Sequence, residues 1–284
     1  MSGWTPGPGW LFCPADRPDR YVKALARADV VVVDLEDAVA ASAKAEARDA
    51  LRQLAAEGDL VLERTVLRVN GAGTDDHDED VRLASEVGLG RVMLAKAESP
   101  ATVAAIPAEV VALVETPLGV VRADELAAVD NVVALMWGAD DLVAGLGGTA
   151  SHRADGSYRD VAVYARSRSL VAAKARGRLA LDAVHMDIAD LDGLRAACED
   201  AAAVGFDATV AIHPSQVPVI RAAYRPSPDQ VAWARALLQA HGEDGGVGTF
   251  EGRMVDGPVF RQAVRVLTLE QAAGGGTTPA AVAR

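Results

Sequence analysis

Residues 110–141 read VVALVETPLGVVRADELAAVDNVVALMWGADD, and this stretch decides the fold. Two apolar runs, 110–115 and 132–137, flank a segment with a helical pattern, and neither run alternates with polar residues. Uninterrupted runs of Val, Leu and Ala are typical of parallel strands that are buried on both faces. The stretch therefore predicts one strand–helix–strand unit of a parallel α/β protein.

The same alternation continues along most of the chain and predicts eight strands. They cover residues 10–14, 30–34, 65–69, 91–95, 110–115, 132–137, 180–185 and 208–213. Helical patterns lie between them, for example at 43–56, 161–175 and 192–204. Eight strand–helix units favour an α/β fold of the TIM (β/α)8 barrel type, which usually needs ~250 residues, over a doubly wound open sheet.

The alternation stops beyond residue 213. Residues 225–229, Arg-Pro-Ser-Pro-Asp, predict a break and then an N-capped helix that continues to about residue 240. We expect a catalytic barrel over residues 1–224, a C-terminal helix and lid segment over 225–271, and a disordered tail over 272–284. The lid segment looks too short for its own core, so we expect it to pack on its barrel or on a neighbouring subunit.

Composition excludes several classes of function. The net charge of −12 argues against nucleic acid or an anionic membrane as a partner. No apolar run reaches the ~20 residues that a membrane span needs, and no basic-then-apolar N-terminal segment suggests a signal peptide. Cys13 and Cys198 lack paired spacing, so we expect reduced thiols and a cytoplasmic protein.

Charged and polar side chains follow the predicted strands. Glu115 ends the fifth strand and Asp141 follows the sixth, so both should lie on the same rim of a parallel barrel, where ligands bind. Two carboxylates suit Mg²⁺, which completes its coordination with water and substrate oxygens. Other strand ends add Asp34, Glu36, Asp37, Arg68, Asn70, Lys96, Asp140, Asp187 and His213. Because rim carboxylates repel each other without a cationic partner, the pattern predicts a metal site that is open to an anionic substrate.

Eight strings, in order, carry a resemblance to a known family. They are LFCPADRPDR (11–20), VVVDLEDAVA (31–40), LRVNG (67–71), ALVETPLGV (112–120), WGADDL (137–142), HMDIADLDGL (185–194), AIHPSQVPVI (211–220) and EGRMVDGPVFRQA (251–263). Together they resemble the citrate lyase β-subunit-like branch of the HpcH/HpaI aldolase superfamily, the CoA-ester lyases. The resemblance implies a Mg²⁺-dependent TIM barrel that acts on hydroxyacyl-CoA esters and assembles as a trimer or as a hexamer of trimers.

The resemblance also implies roles for residues around the metal. Glu115 and Asp141 match the two Mg²⁺ ligands of the family. Arg68 matches the arginine that holds the carboxylate of a 2-keto acid, and its planar fork suits that task. Glu36 and Asp37 match acidic residues beneath the metal, which hold its waters or orient Arg68.

Further residues are implied to contact substrate or coenzyme A. The backbone of Gly138 and Ala139 matches a donor to the substrate carboxylate. Asp256 matches an acid/base on a C-terminal lid, which in several family lyases closes over a neighbouring subunit's site. Arg17 and Lys44 are the basic residues nearest the rim on the first two units, and we expect them to contact coenzyme A. A solvated helix lysine is an equal alternative for Lys44.

The expected reaction is the reversible cleavage of a 3-hydroxyacyl-CoA, such as malyl-CoA or citramalyl-CoA, into an acyl-CoA and a 2-keto acid. Three alternatives stay open: a citrate lyase β subunit that acts on a carrier-protein thioester, a malyl-CoA thioesterase or malate synthase-like enzyme, and a non-catalytic binding barrel. Other chemistry has little support. Residues 145–148, Gly-Leu-Gly-Gly, lack the dinucleotide-binding spacing, no G-x-S-x-G is present, and the histidines lack zinc-ligand spacing.

Overall fold

The computed structural model describes residues 4–242 and 246–274. The chain divides into two compact units. One spans Pro6–Arg221, and the other begins at Ala222 and includes the N-terminal residues before Pro6. None of the described helices is both long enough and apolar enough to cross a membrane.

The unit Pro6–Arg221, all of it described, forms a closed barrel of eight parallel strands, each beside its neighbour in sequence. The first strand pairs with the eighth to close the barrel. The strands are β1 Gly9–Pro14, β2 Val30–Asp34, β3 Thr65–Val69, β4 Arg91–Leu94, β5 Glu109–Val114, β6 Val132–Trp137, β7 Leu179–Asp182 and β8 Ala208–Ala211. The predicted TIM barrel is confirmed, and the open sheet is wrong.

Helices connect the strands and cover the barrel. In chain order they are α1 Pro18–Leu25, α2 Lys44–Ala56, α3 His77–Glu86, α4 Pro100–Ala105, α5 Pro117–Val121, α6 Ala123–Ala127, α7 Asp140–Gly145, α8 Asp160–Ala175, α9 Leu191–Val204 and α10 Gln216–Ala223. Short 3₁₀ helices lie at Ala41–Ala43 and Leu62–Arg64. Burial on both faces explains the apolar strands, since every residue of β2, including Asp34, is buried.

Strands β7 and β8 end earlier than the sequence predicts. After β7, the Asp182 carboxylate accepts the Trp137 indole N–H at 2.6 Å and the Ala183 N–H at 3.0 Å. After β8, the Gln216 side chain accepts the N–H groups of Ile212 and His213. These side chains accept backbone N–H groups that a neighbouring strand would otherwise accept. The chain therefore leaves the sheet although the residues that follow include apolar ones.

The C-terminal unit contains α11 Pro228–His241, an antiparallel hairpin of β9 Gly248–Phe250 and β10 Arg253–Val255, and α12 Gly257–Gly274. Ser227 and Gln230 form a capping box at the start of α11, which confirms the predicted helix start. The unit also has its own buried cluster, which corrects the expectation that the segment is too short for a core: Ala234, Leu237, Val255, Phe260 and Ala263. Helix α12 includes the first residues of the predicted tail, and 275–284 lie outside the described residues.

Candidate functional site

A cavity of about 830 Å³ opens where the barrel strands end. Its wall consists largely of residues at or just beyond the carboxyl ends of β1, β2, β5, β6, β7 and β8. Among them are Asp34, Asp37, Arg68, Glu115, Gly138, Ala139 and Asp141. A volume of this size is in the range of small-molecule and cofactor sites. The barrel topology therefore brings together side chains that are distant in sequence.

Arg68 is held by two carboxylates from the end of β2. Its Nε and Nη2 donate to the two oxygens of Asp34 at 2.7 and 2.5 Å, and its Nη1 lies 3.0 Å from Glu36 Oε2. Asp34 also accepts the N–H groups of Glu36 and Ala38, which fixes the turn after β2. Burial alone would lower the pKa of Arg68, but hydrogen bonding to Asp34 and the charge of that residue raise it above its ordinary value. Asp34 is thus an anchor to which the sequence predictions gave no role, although it lies two residues before the predicted Glu36.

Glu115 is buried, with 3% of its surface exposed, at the end of β5. Its Oε1 accepts the Lys96 N–H at 2.9 Å. Burial and the nearby charges of Asp141 and Glu36 raise its pKa to about 8. The elevated pKa means that the charged form of Glu115 is less stabilised here than in water, chiefly because burial removes its hydration.

Gly138 makes room for Glu115. A Cβ atom at position 138 would lie 2.9 Å from both Cβ and Oε2 of Glu115, which is closer than side chains tolerate. The Gly138 N–H donates to the Val114 carbonyl at 3.2 Å, so it belongs to the barrel ladder. That donor therefore already has an acceptor, and its contact with a substrate carboxylate stays a prediction. Ala139 lines the cavity beside it.

Lys96 completes the cluster and was not among the predicted site residues. Its ammonium contacts Glu36 Oε1 and lies 3.7 Å from Asp37 Oδ2 and 3.6 Å from Asp141 Oδ1. The signal for it in the sequence was its position directly after the fourth predicted strand. The cluster thus joins Glu36 and Asp37, from the loop after β2, with Asp141 in the first turn of α7.

The donor set fits a hard divalent cation. Glu115 and Asp141 offer carboxylate oxygens beside a cavity, and the charge of Asp141 adds to burial in raising the pKa of Glu115. Within the described residues, no group of three or more His, Cys, Asp or Glu side chains is arranged to hold a metal ion. A cation at Glu115 and Asp141 would therefore take its other ligands from water and substrate, as Mg²⁺ commonly does.

The two residues predicted to bind coenzyme A have different surroundings. Arg17 lines the cavity and donates to Asp19. Lys44 contacts Asn70 Oδ1 and lies 3.8 Å from Asp76, and it is not one of the described residues on the cavity wall. Arg20 and Lys23, which follow Arg17 on α1, do line the cavity. The basic group at this wall therefore comes from α1 and its N-terminus.

Asp256, the predicted lid acid, belongs to the C-terminal unit. It lies between β10 and α12, where its carbonyl accepts the Phe260 N–H at 3.1 Å. This contact is the first turn of α12 and fixes the backbone at the residue. Its role in the reaction stays a prediction.

A closed (β/α)8 barrel with carboxylates, a buried arginine and a large cavity at the strand ends defines a barrel enzyme with a site for a metal and an acidic substrate. Comparison with known proteins identifies the family within this class of enzymes. The chain belongs to the HpcH/HpaI aldolase/citrate lyase family, whose profile matches residues 10–214.

Named relatives agree with this assignment. A citrate lyase subunit beta-like protein of Mycobacterium tuberculosis (strain ATCC 25618 / H37Rv) is 56% identical over 262 residues, covering 92% of this chain and 94% of that protein. The mitochondrial citramalyl-CoA lyase of Homo sapiens is 32% identical over 271 residues, with 85% and 78% coverage. The crystal structure of the Mycobacterium tuberculosis protein CitE in complex with magnesium, acetoacetate and coenzyme A superimposes with a TM-score of 0.89 at 55% identity, covering 94% of this chain and 98% of that one.

These comparisons confirm the predicted family and the predicted class of enzyme, a lyase. They also agree with the predicted metal and coenzyme, since magnesium and coenzyme A are bound in the related crystal structure.

Proposed function

We propose that this protein is a Mg²⁺-dependent lyase that reversibly cleaves a carboxylated 3-hydroxyacyl-CoA, such as malyl-CoA or citramalyl-CoA, into an acyl-CoA and a 2-keto acid. The observation that carries the proposal is the proximity of two metal-type carboxylates, Glu115 and Asp141, to the buried fork of Arg68 on one cavity. A metal site beside an anion site suits a substrate that presents both a carboxylate and a hydroxyl group.

Glu115 and Asp141 would hold the metal. When bound, Mg²⁺ supplies Lewis-acid polarisation of the substrate oxygens. Gly138 keeps the space that Glu115 occupies, and Lys96 orients Glu115 through its backbone N–H. These contacts hold the ligand before the substrate arrives, which is what a site on rigid strand ends achieves.

Arg68 would bind the carboxylate of the 2-keto acid. A guanidinium has five N–H donors, and three of them face Asp34 and Glu36, so donors remain for a substrate carboxylate. The pKa of Arg68 is above its ordinary value, so its charge persists throughout the working pH range. Arg68 therefore combines a fixed orientation with a permanent positive charge.

The remaining chemistry needs a proton at carbon. As the bond between the thioester α carbon and the hydroxyl-bearing carbon breaks, the hydroxyl gives its proton to water and becomes the carbonyl group of the 2-keto acid. The electron pair of the broken bond forms the acyl-CoA enolate, which takes a proton at carbon. We assign this proton to Asp256, from the same subunit or from a neighbour in a homotrimer or a hexamer of trimers. In the reverse direction, Asp256 abstracts the proton from acyl-CoA.

Coenzyme A requires a basic contact for its phosphates. Arg17, Arg20 and Lys23 supply three cations on the cavity wall, and we assign the phosphate contacts to them. Lys44, whose ammonium contacts Asn70 and lies 3.8 Å from Asp76, stays a second candidate for these contacts. We retain the expectation of a cytoplasmic protein.

The test incubates purified protein with Mg²⁺ and malyl-, citramalyl- or methylmalyl-CoA, with and without EDTA, and follows the products by mass spectrometry. EDTA-sensitive formation of keto acid and acyl-CoA supports the lyase. Free CoA without acyl-CoA indicates a thioesterase instead. An absence of turnover contradicts the proposal and favours carrier-protein chemistry or a binding barrel.

Asp256→Asn separates the lid acid from the metal site. We expect this variant to lose turnover while Mg²⁺ and keto-acid binding stay close to those of the wild type. Asp229→Asn is a matched control, since Asp229 is an exposed acid in the same unit. Normal turnover in Asp256→Asn contradicts the assignment, whatever the result of the substrate screen.

A further inference from the structure

Lys96 touches both of the proposed metal-binding carboxylates, through two different parts of the residue. Its backbone N–H donates to Glu115 Oε1 at 2.9 Å. Its ammonium lies 3.6 Å from Asp141 Oδ1 and contacts Glu36. The residue therefore contacts both carboxylates that would hold the cation.

The backbone at Lys96 has an uncommon conformation, which directs its N–H towards Glu115. Its φ is +51°, in the left-handed region that residues with a side chain rarely adopt. The residues on either side of it are hydrogen-bonded to neighbouring strands, because Ala95 N–H donates to the Val69 carbonyl and Ala97 N–H donates to the Leu113 carbonyl. The kink at Lys96 thus turns a single N–H out of the ladder and towards Glu115. An uncommon conformation held by backbone hydrogen bonds on both sides indicates a functional constraint.

The charges around the ammonium explain what it does in the protein without metal. Glu36, Asp37 and Asp141 all lie within 4 Å of Lys96 Nζ. Arg68, the other cation of the cluster, is committed to Asp34 and Glu36. The ammonium of Lys96 is therefore the cation that faces Asp141 among the described ion pairs.

We propose that Lys96 is a tethered counter-ion of the metal centre, which neutralises the carboxylates before metal binds and sets the affinity for the divalent cation. This inference rests on the proposed metal site at Glu115 and Asp141. A dication placed on Asp141 must share that carboxylate with the ammonium, and two like charges a few ångströms apart repel each other. Lys96 is thus a positioning residue, with its N–H orienting one ligand and its ammonium competing for the other.

Removal of the ammonium should consequently tighten metal binding rather than weaken it. We expect Lys96→Met to bind Mn²⁺ roughly tenfold more tightly than the wild type, since the competing charge is gone while the backbone N–H stays. In EDTA, the same variant should melt at a lower temperature, because the carboxylates lose their partner. A purely structural residue would lower both the stability and the affinity when it is replaced.

The experiment measures Mn²⁺ binding by the electron paramagnetic resonance signal of the free ion, together with melting in EDTA. Lys96→Gly is the second charge-removing variant, since glycine accepts the positive φ and keeps the fold accessible. Lys96→Arg keeps the charge and should stay within about threefold of the wild type. Lys174→Met is the matched control, because Lys174 pairs with Asp207 on the outer part of the barrel unit.

Two results overturn the inference, and they are distinguishable from each other. If the wild type binds no Mn²⁺, or if Glu115→Gln binds it as well as the wild type, the proposed metal site itself fails. If Glu115→Gln abolishes binding, but Lys96→Met and Lys96→Gly bind no more tightly than the wild type, the metal site stands and the counter-ion role is refuted. Tighter binding in both charge-removing variants, with unchanged binding in Lys174→Met, supports the inference.

Discussion

Replacement of Gly138 by alanine tests whether the position of Glu115 depends on the missing side chain at the end of β6. The new Cβ would lie 2.9 Å from both Cβ and Oε2 of Glu115. Carbon atoms rest about 3.5–4.0 Å apart, so one of the two elements must move by about 0.6–1 Å. Overpacking of this kind costs about 1–3 kcal/mol.

Where this strain appears depends on which group moves. If Glu115 swings away, the metal loses a well-placed ligand, and the Kd for Mn²⁺ should rise about 5- to 150-fold, since 1.4 kcal/mol corresponds to a factor of ten. If the end of β6 moves instead, stability falls, and the melting temperature in EDTA should drop by roughly 2–4 °C for each kcal/mol lost. We expect both effects, because rotation of the carboxylate relieves only the contact with Oε2, whereas relief of the contact with Cβ needs a backbone shift at the end of β5 or β6.

Gly90→Ala is the matched control. A Cβ at Gly90 meets no atom within 4 Å, and Gly90 lies in the same barrel unit. Both variants restrict the unfolded chain in the same way, so that contribution cancels in the comparison. The reasoning is refuted if Gly138→Ala matches Gly90→Ala in both the Mn²⁺ titration and the melting temperature.

Two further predictions concern the charged groups of the site. In EDTA, the pKa of Glu115 is raised from 4.5 to about 8, chiefly by burial, so the folded state keeps a proton that the unfolded state releases. The free energy of unfolding should therefore fall as the pH rises from about 5 to 8, by at most about 1.4 kcal/mol per pH unit. Urea titrations of Glu115→Gln should lack this component. If the free energy of unfolding falls equally steeply with pH in the variant, the assignment is contradicted. Arg68→Lys should lose at least one of the two charge-assisted bonds to Asp34, worth about 1.5–3 kcal/mol, and should weaken pyruvate binding in calorimetry more than Mn²⁺ binding. Equal pyruvate affinity in that variant would remove Arg68 from the carboxylate site.

The strand–helix alternation was sufficient to predict the barrel because both faces of each strand are buried. Val30–Asp34, Thr65–Val69 and Val132–Trp137 agree with the predicted bounds, since their apolar runs begin and end with the ladder. The bounds of β7 and β8 differ because side chains of Asp182 and Gln216 take over backbone partners. The pattern of apolar residues contains no information about which side chains take over backbone hydrogen bonds.

In the site, too, the sequence predicted some features and the tertiary structure decided others. Carboxylates after consecutive strands predicted that Glu115 and Asp141 share a rim, since parallel strands of a barrel all end on the same side. The partner of Arg68 and the position of Lys96 depend on contacts between β2, β3 and β4 that no local pattern specifies. The surroundings of Lys44 are also decided by tertiary contacts, since its ammonium contacts Asn70 and lies 3.8 Å from Asp76; its contact with coenzyme A stays a prediction.

By itself, the sequence determined the barrel, the family and the residue types available at the strand ends, because hydrophobic periodicity and strand order are local properties of the chain. Only the tertiary structure decided how those charges pair. Asp34 anchors Arg68, Gly138 gives Glu115 its space, and a left-handed backbone at Lys96 places one ammonium between the carboxylates. Electrostatic pairing depends on distances of a few ångströms between side chains far apart in sequence, and those distances exist only after the barrel has closed.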